Sequence, residues 1–206
     1  LHAVNDAWQN RRDELFTTAQ ELTSAIGRVG VTANDDFVGP TFSMLDDALP
    51  RVLASFDAAL GGFGSAPKFP QAMTLDFCLR SHQRTGSRAA LAAATISLDA
   101  MAAGGMYDQV GGGFHRYSVD SHWLVPHFEK MLYDQALLVR VYLHAFQLTG
   151  QERYRRVVTE TINAVLRDFC LADGGFASAE DADSEGIEGK FYVWYLSEIE
   201  ECCGED

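Results

Sequence analysis

The tripeptide Gly-Gly-Phe occurs three times in this chain of 206 residues, at positions 61–63, 112–114 and 174–176. Two copies extend to Gly-Gly-Phe-x-Ser-Ala, at 61–66 and 174–179, and two Thr-Gly pairs, at 85–86 and 149–150, lie 64 residues apart. A unit of helix, tight turn, helix and long glycine-rich loop therefore repeats every 50 to 65 residues. Repeated hairpins of this kind must bury their apolar faces against their neighbours, and this requirement limits the chain to a helical array.

Apolar residues recur at helical spacing in most of the sequence between these loops. The spacing predicts helices over residues 8–26, 41–60, 71–85, 87–103, 128–148 and 151–170, and one that begins near Ser197 with a capping box to Glu200. Short extended pieces are predicted only at 114–118 and 191–195. We therefore predict an all-α fold of about three helical hairpins, in which the apolar helix 131–148 is an inner helix and helix 151–167 an outer one. The array is either part of a closed α/α toroid or an open solenoid, and periodicity does not separate the two.

Charge and cysteine content narrow the class of protein. The net charge is −13, and the last 28 residues hold ten acids and one base, so we expect no nucleic acid and no anionic membrane as a partner. No run of eighteen apolar residues is present, and the chain opens without an initiator Met, which we interpret as a piece of a longer protein. The four cysteines form no C-x-x-C pair, so no redox or zinc motif is present and no cofactor is expected. Nothing in the cysteine pattern indicates an oxidising compartment, so a cytoplasmic location is expected.

The connection from Gly104 to Asp134 carries most of the residues suited to catalysis. It holds three histidines, four acids, an arginine, a lysine and several aromatic side chains, and so long a loop in a helical domain usually serves a function. His115 and His127 are candidate acid/base groups because imidazole titrates near neutral pH. Pro126 predicts a helix that begins at His127, which would place Glu129 and Lys130 in its first turn. The alternative is that these residues staple the loop to the ends of helices.

A second acidic segment covers residues 180–190. It matches the first half of an EF-hand loop, but its twelfth position is Tyr192 where that loop needs a glutamate, so EF-hand calcium binding and a metal site in general are not predicted. Asp181 and Asp183 are candidates for the paired carboxylates that sugar chemistry uses. The alternative is a solvated acidic loop that caps glycine turns. Whether some of these oxygens hold a cation is left open by the sequence.

Three segments resemble a known family: 61–70 (GGFGSAPKFP), 107–138 (YDQVGGGFHRYSVDSHWLVPHFEKMLYDQALL) and 174–194 (GGFASAEDADSEGIEGKFYVW). They are similar to the spermatogenesis-associated protein 20 family, in which a thioredoxin-like domain precedes an α/α toroid like that of N-acylglucosamine 2-epimerase and the six-hairpin glycosidases. The resemblance implies that residues 1–38 are a linker helix after a missing thioredoxin-like domain, and that residues 39–206 are an incomplete (α/α)6 toroid. A toroid of this type suggests a carbohydrate-active site, although a fold alone does not determine a function.

Two functions from different classes remain open. The first is an enzyme that acts on a sugar-like small molecule by epimerisation or glycosidic cleavage at the mouth of the toroid. The second is a non-catalytic toroid that binds a ligand or protein for the thioredoxin-like domain. For the enzyme, the predicted catalytic residues are His115, Asp120, His127, Glu129, Asp181 and Asp183. The predicted substrate-binding residues are Lys68, Arg116, Tyr117, Trp123, Lys130 and Asp134.

Overall fold

The computed structural model describes residues 2–30, 39 and 41–204, and it divides the chain into two compact units, Leu1–Thr41 and Phe42–Asp206. The first unit contains α1 (His2–Asn10) and α2 (Arg12–Gly30). The single helix expected over 8–26 is therefore interrupted at Arg11, and α2 continues past Gly27, where the sequence predicts its end. The break expected at 34–36 lies outside the described residues, and the assignment of 1–38 as a linker stays a prediction.

The second unit is built from helical hairpins. Its helices are α3 (Phe42–Leu53), α4 (Ala72–Thr85), α5 (Arg88–Ala103), α6 (Leu132–Thr149), α7 (Glu152–Ala164) and α8 (Leu196–Cys203). The two predicted Thr-Gly turns are present, because Gly86 and Gly150 adopt left-handed backbone angles and their N–H groups donate to the carbonyls of His82 and Phe146. In the first hairpin, the Ser87 hydroxyl caps α5 by accepting from the N–H of Ala90.

The core lies where α4 packs against α5 and α6, and where α6 packs against α7. Leu79, Leu98 and Tyr142 are buried there, and the Tyr142 hydroxyl donates to the carbonyl of Leu98 at 2.7 Å. Each such buried apolar side chain contributes about 2 kcal/mol when it leaves water. The predicted all-α class is confirmed.

One face of α6 stays uncovered in this chain. Leu143 and Leu148 are each more than a third exposed, and Tyr133 is half exposed. The expectation that α6 is buried on all sides is therefore wrong for these residues, because α4 and α7 cover only the faces turned toward them. Among the described helices, none is both long and apolar enough to cross a membrane.

Several helix ends differ from the expectation. α3 ends at Leu53 rather than near 60, α7 ends at Ala164 and continues as a π-helical turn (Val165–Phe169), and residues 128–131 precede α6 without being helical. At α8 the residue before the helix is Tyr195 instead of Ser197, and Glu198 accepts its N–H at 2.7 Å. In a capping box, the Glu at the third helical position accepts the N–H of the residue before the helix. The box therefore lies at Tyr195 and Glu198, two residues before the predicted pair of Ser197 and Glu200.

Short antiparallel strand pairs tie the loops together. They are β1 (Tyr117–Ser118) with β2 (Pro126–His127), β3 (Lys130–Met131) with β4 (Ala179–Glu180), and β5 (Asp183–Ser184) with β6 (Ile187–Glu188). The first agrees with the extended piece expected at 114–118, whereas the piece expected at 191–195 forms no strand because its residues turn into α8. The β3–β4 pair joins the loop before α6 to the loop before α8.

The three Gly-Gly-Phe copies lie in the long connections that lead into α4, α6 and α8. We call residues 54–71 the first glycine loop, residues 104–131 the second, and residues 170–195 the third. In each, the phenylalanine forms an isolated backbone bridge to a residue six or seven positions earlier: Phe56 with Phe63, Tyr107 with Phe114, and Cys170 with Phe176. The repeat in the sequence is therefore a repeat of local backbone structure.

Candidate functional site

Residues 126–131 form an extended strip at the end of the second glycine loop. The predicted first helical turn at His127–Lys130 is wrong, because β2 and β3 pair these residues with other strands and α6 starts only at Leu132. In extended backbone, alternate side chains point to opposite sides. His127 and Glu129 accordingly contact one set of residues, and Phe128 and Lys130 another.

The first side of the strip carries a group of charged side chains around His127. The Nδ1 atom of His127 lies 2.6 Å from Oε1 of Glu188, and its Nε2 lies 3.6 Å from Oε2 of Glu129. The Nη1 of Arg116 donates to the same Glu129 oxygen at 2.8 Å. The imidazole is partly exposed, and it stands between two carboxylates.

Asp134 lies beside this group in the first turn of α6. Only 9% of the residue is exposed, and its Oδ2 atom has no hydrogen-bond partner. Burial raises the pKa of Asp134 to about 6, the positive charge of Arg116 opposes this rise, and the charge of Glu129 adds to it. The Nε of Arg116 is also buried without a partner, so an unused donor and an unused acceptor belong to neighbouring side chains.

Aromatic rings border the same side of the strip. The ring of Tyr117 stacks on the imidazole of His127, and the two ring centroids are 5.0 Å apart. The ring of Phe69 packs against that of Tyr117, with the centroids 4.8 Å apart. Phe69 is 46% exposed, so part of this aromatic surface faces solvent. We define the His127 cluster by its six residues: Arg116, Tyr117, His127, Glu129, Asp134 and Glu188. Five of the twelve predicted site residues thus lie together.

His115 lies on the opposite side of the strip, away from the His127 cluster. It is 2% exposed, and it packs edge-on against Phe128 and Tyr192. Burial lowers the pKa of His115 to about 4, so the ring is neutral at pH 7, with Nδ1 donating to the carbonyl of Phe128 at 3.0 Å. The ring of His115 is thus enclosed by the protein, and its assignment as a catalytic group stays a prediction.

Lys68 and Lys130 are both buried, although each was expected to contact substrate. The ammonium of Lys68 binds Asp57 at 2.7 Å and the carbonyl of Gly61 at 2.8 Å. Lys130 repeats the arrangement in the second glycine loop, with Asp108 at 2.8 Å and the carbonyl of Gly112 at 3.0 Å. Each lysine therefore ties the end of its own glycine loop back to the beginning of that loop.

Trp123 is a core residue instead of a surface platform for a sugar. It is 1% exposed, its indole N–H donates to the carbonyl of Leu60 at 3.0 Å, and its ring lies over Gly62. The tryptophan of the second glycine loop thus closes the first. A planar indole with a hydrogen-bonded N–H is as suited to this position as to sugar stacking, and the sequence does not distinguish the two.

Three of the predicted acids serve their own loops. Asp120 accepts the N–H groups of His122 and Val125, each at 2.6 Å, and these bonds hold its pKa below the usual value against the effect of burial. Asp181 accepts the N–H of Asp183, and both residues are exposed. None of the three is among the contacts of His127. The described residues contain no group of three or more His, Cys, Asp or Glu that could hold a metal ion.

Sequence reasoning missed Glu188 as a partner of His127. The two residues are 61 positions apart, and Glu188 is one of several acids in the segment 180–190. No spacing rule links an acid in one loop to a histidine in another. The only usable signal is that both loops carry the same Gly-Gly-Phe repeat, and neighbouring repeats of an array pack side by side.

Solved structures with a similar fold are sugar-converting enzymes of the (α/α)6 toroid class. A sugar epimerase from a ruminal bacterium superposes with a TM-score of 0.59 at 14% identity, over 69% of this chain and 44% of that one. A cellobiose 2-epimerase from Spirochaeta thermophila DSM 6192 gives 0.59 at 23% identity, over 66% and 38%. A D-mannose isomerase gives 0.56 at 15% identity, over 66% and 40%. The predicted partial toroid is confirmed, and at these identities the likeness concerns the fold.

The resemblance to the spermatogenesis-associated protein 20 family is confirmed by similarity over nearly the whole chain. The human protein of that name is 40% identical over 214 aligned residues, which cover 98% of this chain and 27% of the relative. The uncharacterized protein B0495.5 of Caenorhabditis elegans is 42% identical over 100% of this chain and 29% of its own length. The chain thus spans little more than a quarter of its curated relatives. No family model matches it.

Proposed function

We propose that the His127 cluster is part of the active site of a carbohydrate-active enzyme that moves a proton at the carbon next to a sugar carbonyl. The observation that carries this proposal is the position of His127 between Glu188 and Glu129, with Arg116 and the buried Asp134 beside it. A base whose second ring nitrogen is fixed by a carboxylate is a common arrangement for proton transfer. The toroid fold that the chain shares with sugar epimerases and an isomerase supports the same class of substrate.

The mechanism follows from which nitrogen of His127 is engaged. When Nδ1–H donates to Glu188, Nε2 carries the lone pair and accepts the proton from the sugar carbon. The C–H pair then forms the C=C bond of an enediolate, and the carbonyl π pair is on the oxygen. The positive charge of Arg116 stabilises the negative charge that develops on that oxygen. If the enediolate turns its other face to the protonated His127, return of the proton to that face gives an epimer. Return of the proton to the neighbouring carbon, with the hydroxyl proton passing to the former carbonyl oxygen, gives the isomeric ketose or aldose.

Asp134 fits a role in holding the substrate. Its Oδ2 atom is an acceptor without a partner, and a buried acceptor of this kind gains free energy when a hydroxyl group donates to it. A sugar hydroxyl can at the same time accept from Arg116, whose Nε also lacks a partner. Both atoms are buried, so the substrate reaches them only when one of the two side chains moves.

The second candidate is a toroid that binds the same ligand without converting it. The pairing of Arg116 with Glu129 and of His127 with Glu188 favours it, because charges that already neutralise one another hold a site rigid without a reaction. In this case the ligand or a protein is presented to the thioredoxin-like domain of a longer protein. That domain and the cytoplasmic location remain predictions.

Deuterium exchange at the sugar carbon tests the proposal directly. We would incubate the natural full-length protein with cellobiose, mannose or N-acetylglucosamine in D2O and follow the proton next to the carbonyl carbon by NMR. We expect its signal to disappear. His127→Asn should slow the exchange by at least about 100-fold, because the amide can still donate to Glu188 but cannot accept a proton.

The matched control is His122→Asn, because His122 is an exposed histidine of the same loop and lies outside the His127 cluster. It should exchange at the rate of the unchanged protein. Saturation-transfer NMR on the same samples detects binding separately. Binding without exchange would establish the second candidate, and neither binding nor exchange with any of these sugars would overturn the sugar assignment.

A further inference from the structure

A cavity lies on the other side of the strip from the His127 cluster. It has a volume of about 720 Å³ and opens between Gly111 of the second glycine loop, the π-helical turn at Arg167–Asp168, and the third glycine loop with the start of α8. This volume falls within the range of small-molecule sites. None of the six residues of the His127 cluster lines it. The cavity therefore calls for a ligand of its own.

The basic side chains that line this cavity are already engaged. Lys130 binds Asp108 and a backbone carbonyl, as described above. The Nε of Arg167 donates to Asp168 at 2.6 Å and its Nη2 to the carbonyl of Gly111 at 3.0 Å. Lys190 pairs with Glu185. No guanidinium or ammonium group of the lining is left to receive an anionic ligand without giving up a partner.

Glu180 is the exception among the charged groups of the lining. It is partly buried, and within the described part of the chain its carboxylate makes no hydrogen bond and no ion pair within 4 Å. Burial raises the pKa of Glu180, and the nearby charge of Asp168 raises it further, while Lys130 and Arg167 lower it without contacting it. Five acidic and three basic side chains line the cavity, so its net charge is negative.

Aromatic rings form the remaining wall. Tyr192 is already occupied, because the ammonium of Lys130 lies 5.0 Å from its ring centroid. Phe191 and Trp194 also line the cavity, and both are more than half exposed. A cation gains free energy over an aromatic face, most of all over tryptophan. Phe191 is in edge contact with Tyr192, whereas the exposed ring of Trp194 shares the lining with the unpaired carboxylate of Glu180. A carboxylate and an aromatic face in one cavity are the combination that selects an organic ammonium group.

We propose that this cavity binds a protonated amine, with Glu180 as its counter-ion and Trp194 as the aromatic face that it contacts. A neutral ligand would leave the carboxylate of Glu180 without a charged partner, and an anion would be repelled by the excess of acids. The proposal does not depend on the sugar chemistry of the His127 cluster, because the two sites share no lining residue.

Benzylamine and benzyl alcohol form a matched pair of probes. Both carry one aromatic ring and one polar group, and only the amine is charged at pH 7. We would measure their affinity for the natural full-length protein by titration calorimetry. We expect the amine to bind at least about tenfold more tightly than the alcohol, because a hydrogen bond to a charged group is stronger than one between neutral groups. The affinity should fall as salt is added.

Glu180→Gln should remove this preference, with a loss of about tenfold or more in affinity for the amine. Glu201→Gln is the control, because Glu201 is an exposed acid on α8 that does not line the cavity. Trp194→Leu is a second variant in case Glu180→Gln does not fold, and it should weaken amine binding about fivefold. Equal affinity for the two probes, or full amine affinity in a folded Glu180→Gln protein, would overturn the proposal.

The same titration on His127→Asn separates this proposal from the proposed function. Amine binding should be unchanged in that variant, because Lys130 and Phe128 lie on the other side of the strip. A loss of sugar exchange with intact amine binding would support both proposals. Intact exchange in His127→Asn together with a loss on Glu180→Gln would support the amine site alone.

Discussion

The first and second glycine loops contain the same pair of an aspartate and a buried lysine, but they differ in length and in what the additional residues form. In each, an aspartate six residues before the phenylalanine accepts backbone N–H groups and binds a buried lysine: Asp57 with Lys68, and Asp108 with Lys130. The first loop has 18 residues, 54–71, and the second has 28, 104–131. The ten additional residues allow the second loop to carry the strip from 126 to 131.

This difference shows which part of the structural repeat carries the residues of the His127 cluster. The first loop leads into α4 with Thr74 as its third residue, and the second leads into α6 with Asp134 at the same position. Arg116, His127 and Glu129 belong to the second loop only. The third glycine loop departs further. Leu171 makes the backbone hydrogen bonds that the aspartates make in the other loops, and the lysine of this loop, Lys190, is half exposed. The third loop supplies partners, Glu188 and Tyr192, to the loop before it.

The largest expected effect comes from removing the two buried lysines. Lys130→Met leaves Asp108 buried without its partner and should lower the free energy of unfolding by about 4 kcal/mol. Lys68→Met should cost less, about 3 kcal/mol, because Asp57 is 25% exposed against 12% for Asp108 and so regains more water. Calorimetric or urea unfolding measures both.

Lys190→Met is the control for this pair. Its partner Glu185 is exposed, so the variant should lose less than about 1 kcal/mol. An equally small effect at Lys68 or Lys130 would mean that the buried pairs do not hold their loops. The two loops would then share only their backbone structure and not the stabilisation by a buried lysine.

The glycines of the two loops should differ in how far they tolerate a side chain. Gly62 and Gly113 both have positive φ angles, of 81° and 84°. A Cβ on Gly62 would lie 2.5 Å from the buried ring of Trp123, whereas one on Gly113 would meet the amide oxygen of Gln135 at 3.2 Å. Gly62→Ala should therefore cost about 3 kcal/mol and Gly113→Ala about 2 kcal/mol, of which roughly 1 kcal/mol is the backbone strain.

Gly64→Ala isolates the strain, because φ is 79° there and no atom lies within 4 Å of the added Cβ. It should cost about 1 kcal/mol. If the free energy of unfolding fell by the same amount in all three variants, the packing of Trp123 against the first loop would not contribute to stability. The midpoints of urea unfolding rank the three.

Two aspartates on α4 and α6 should respond to pH with opposite signs. The pKa of Asp134 is raised to about 6 in the folded protein, so its ionisation destabilises the fold as pH rises through that value. Asp134→Asn should therefore gain about 1–2 kcal/mol at pH 7.5. The gain should shrink below pH 6 and vanish near pH 4. Under the proposed function, the same variant loses substrate binding.

Asp76 on α4 provides the contrast. Burial would raise its pKa, but hydrogen bonds from His144 and Arg80 lower it below the usual value. Asp76→Asn should accordingly lose about 1–3 kcal/mol at pH 7.5, and this loss should disappear as the pH falls below the ordinary pKa of aspartate. Unfolding followed from about pH 2.5 to 7.5 decides both signs, because the Asp76 contribution is lost only below the ordinary pKa of aspartate. A loss of stability in Asp134→Asn at pH 7.5 would contradict the unpaired state of that carboxylate.

The smallest effect concerns the third glycine loop. Leu171→Asp places an aspartate where the other two loops have one, but the position is 48% exposed and Lys190, the lysine of this loop, pairs with Glu185 instead. The free energy of unfolding should change by less than about 0.5 kcal/mol. A gain above about 1 kcal/mol would show that the aspartate stabilises a loop through its backbone bonds alone.

The sequence was sufficient for the fold class because the repeat and the Thr-Gly turns are local signals. Gly86 and Gly150 form the expected turns, and the helices between the glycine loops lie near their predicted positions. The start of α6 was misplaced because Pro126 favours a helix start as well as an extended strip. Only the pairing of Lys130 with Glu180, fifty residues away, decides between them.

The candidate site was only partly predictable for the same reason. Composition identified the second glycine loop, and four of its predicted residues lie in the His127 cluster together with Asp134 of α6. Burial could not be read from residue type. The fold encloses Lys68 and Lys130 with partners from distant positions of their own loops, and Trp123 with the first glycine loop. The alternative that these residues staple the loops describes these three and Asp120. The enzyme hypothesis retains the five predicted residues of the His127 cluster, whereas His115, Asp181 and Asp183 lie outside that cluster.

The alternation of side chains along residues 126–131 limits how this protein can change in evolution. Deleting or inserting one residue in the strip would turn His127 and Glu129 toward Tyr192, and Phe128 and Lys130 toward Arg116. The loss of one residue would thus move side chains from each side of the strip to the other, whereas a substitution changes one side and leaves the other intact. We infer that the residues on the two sides of the strip can change independently of each other, but that the number of residues in the strip must stay the same.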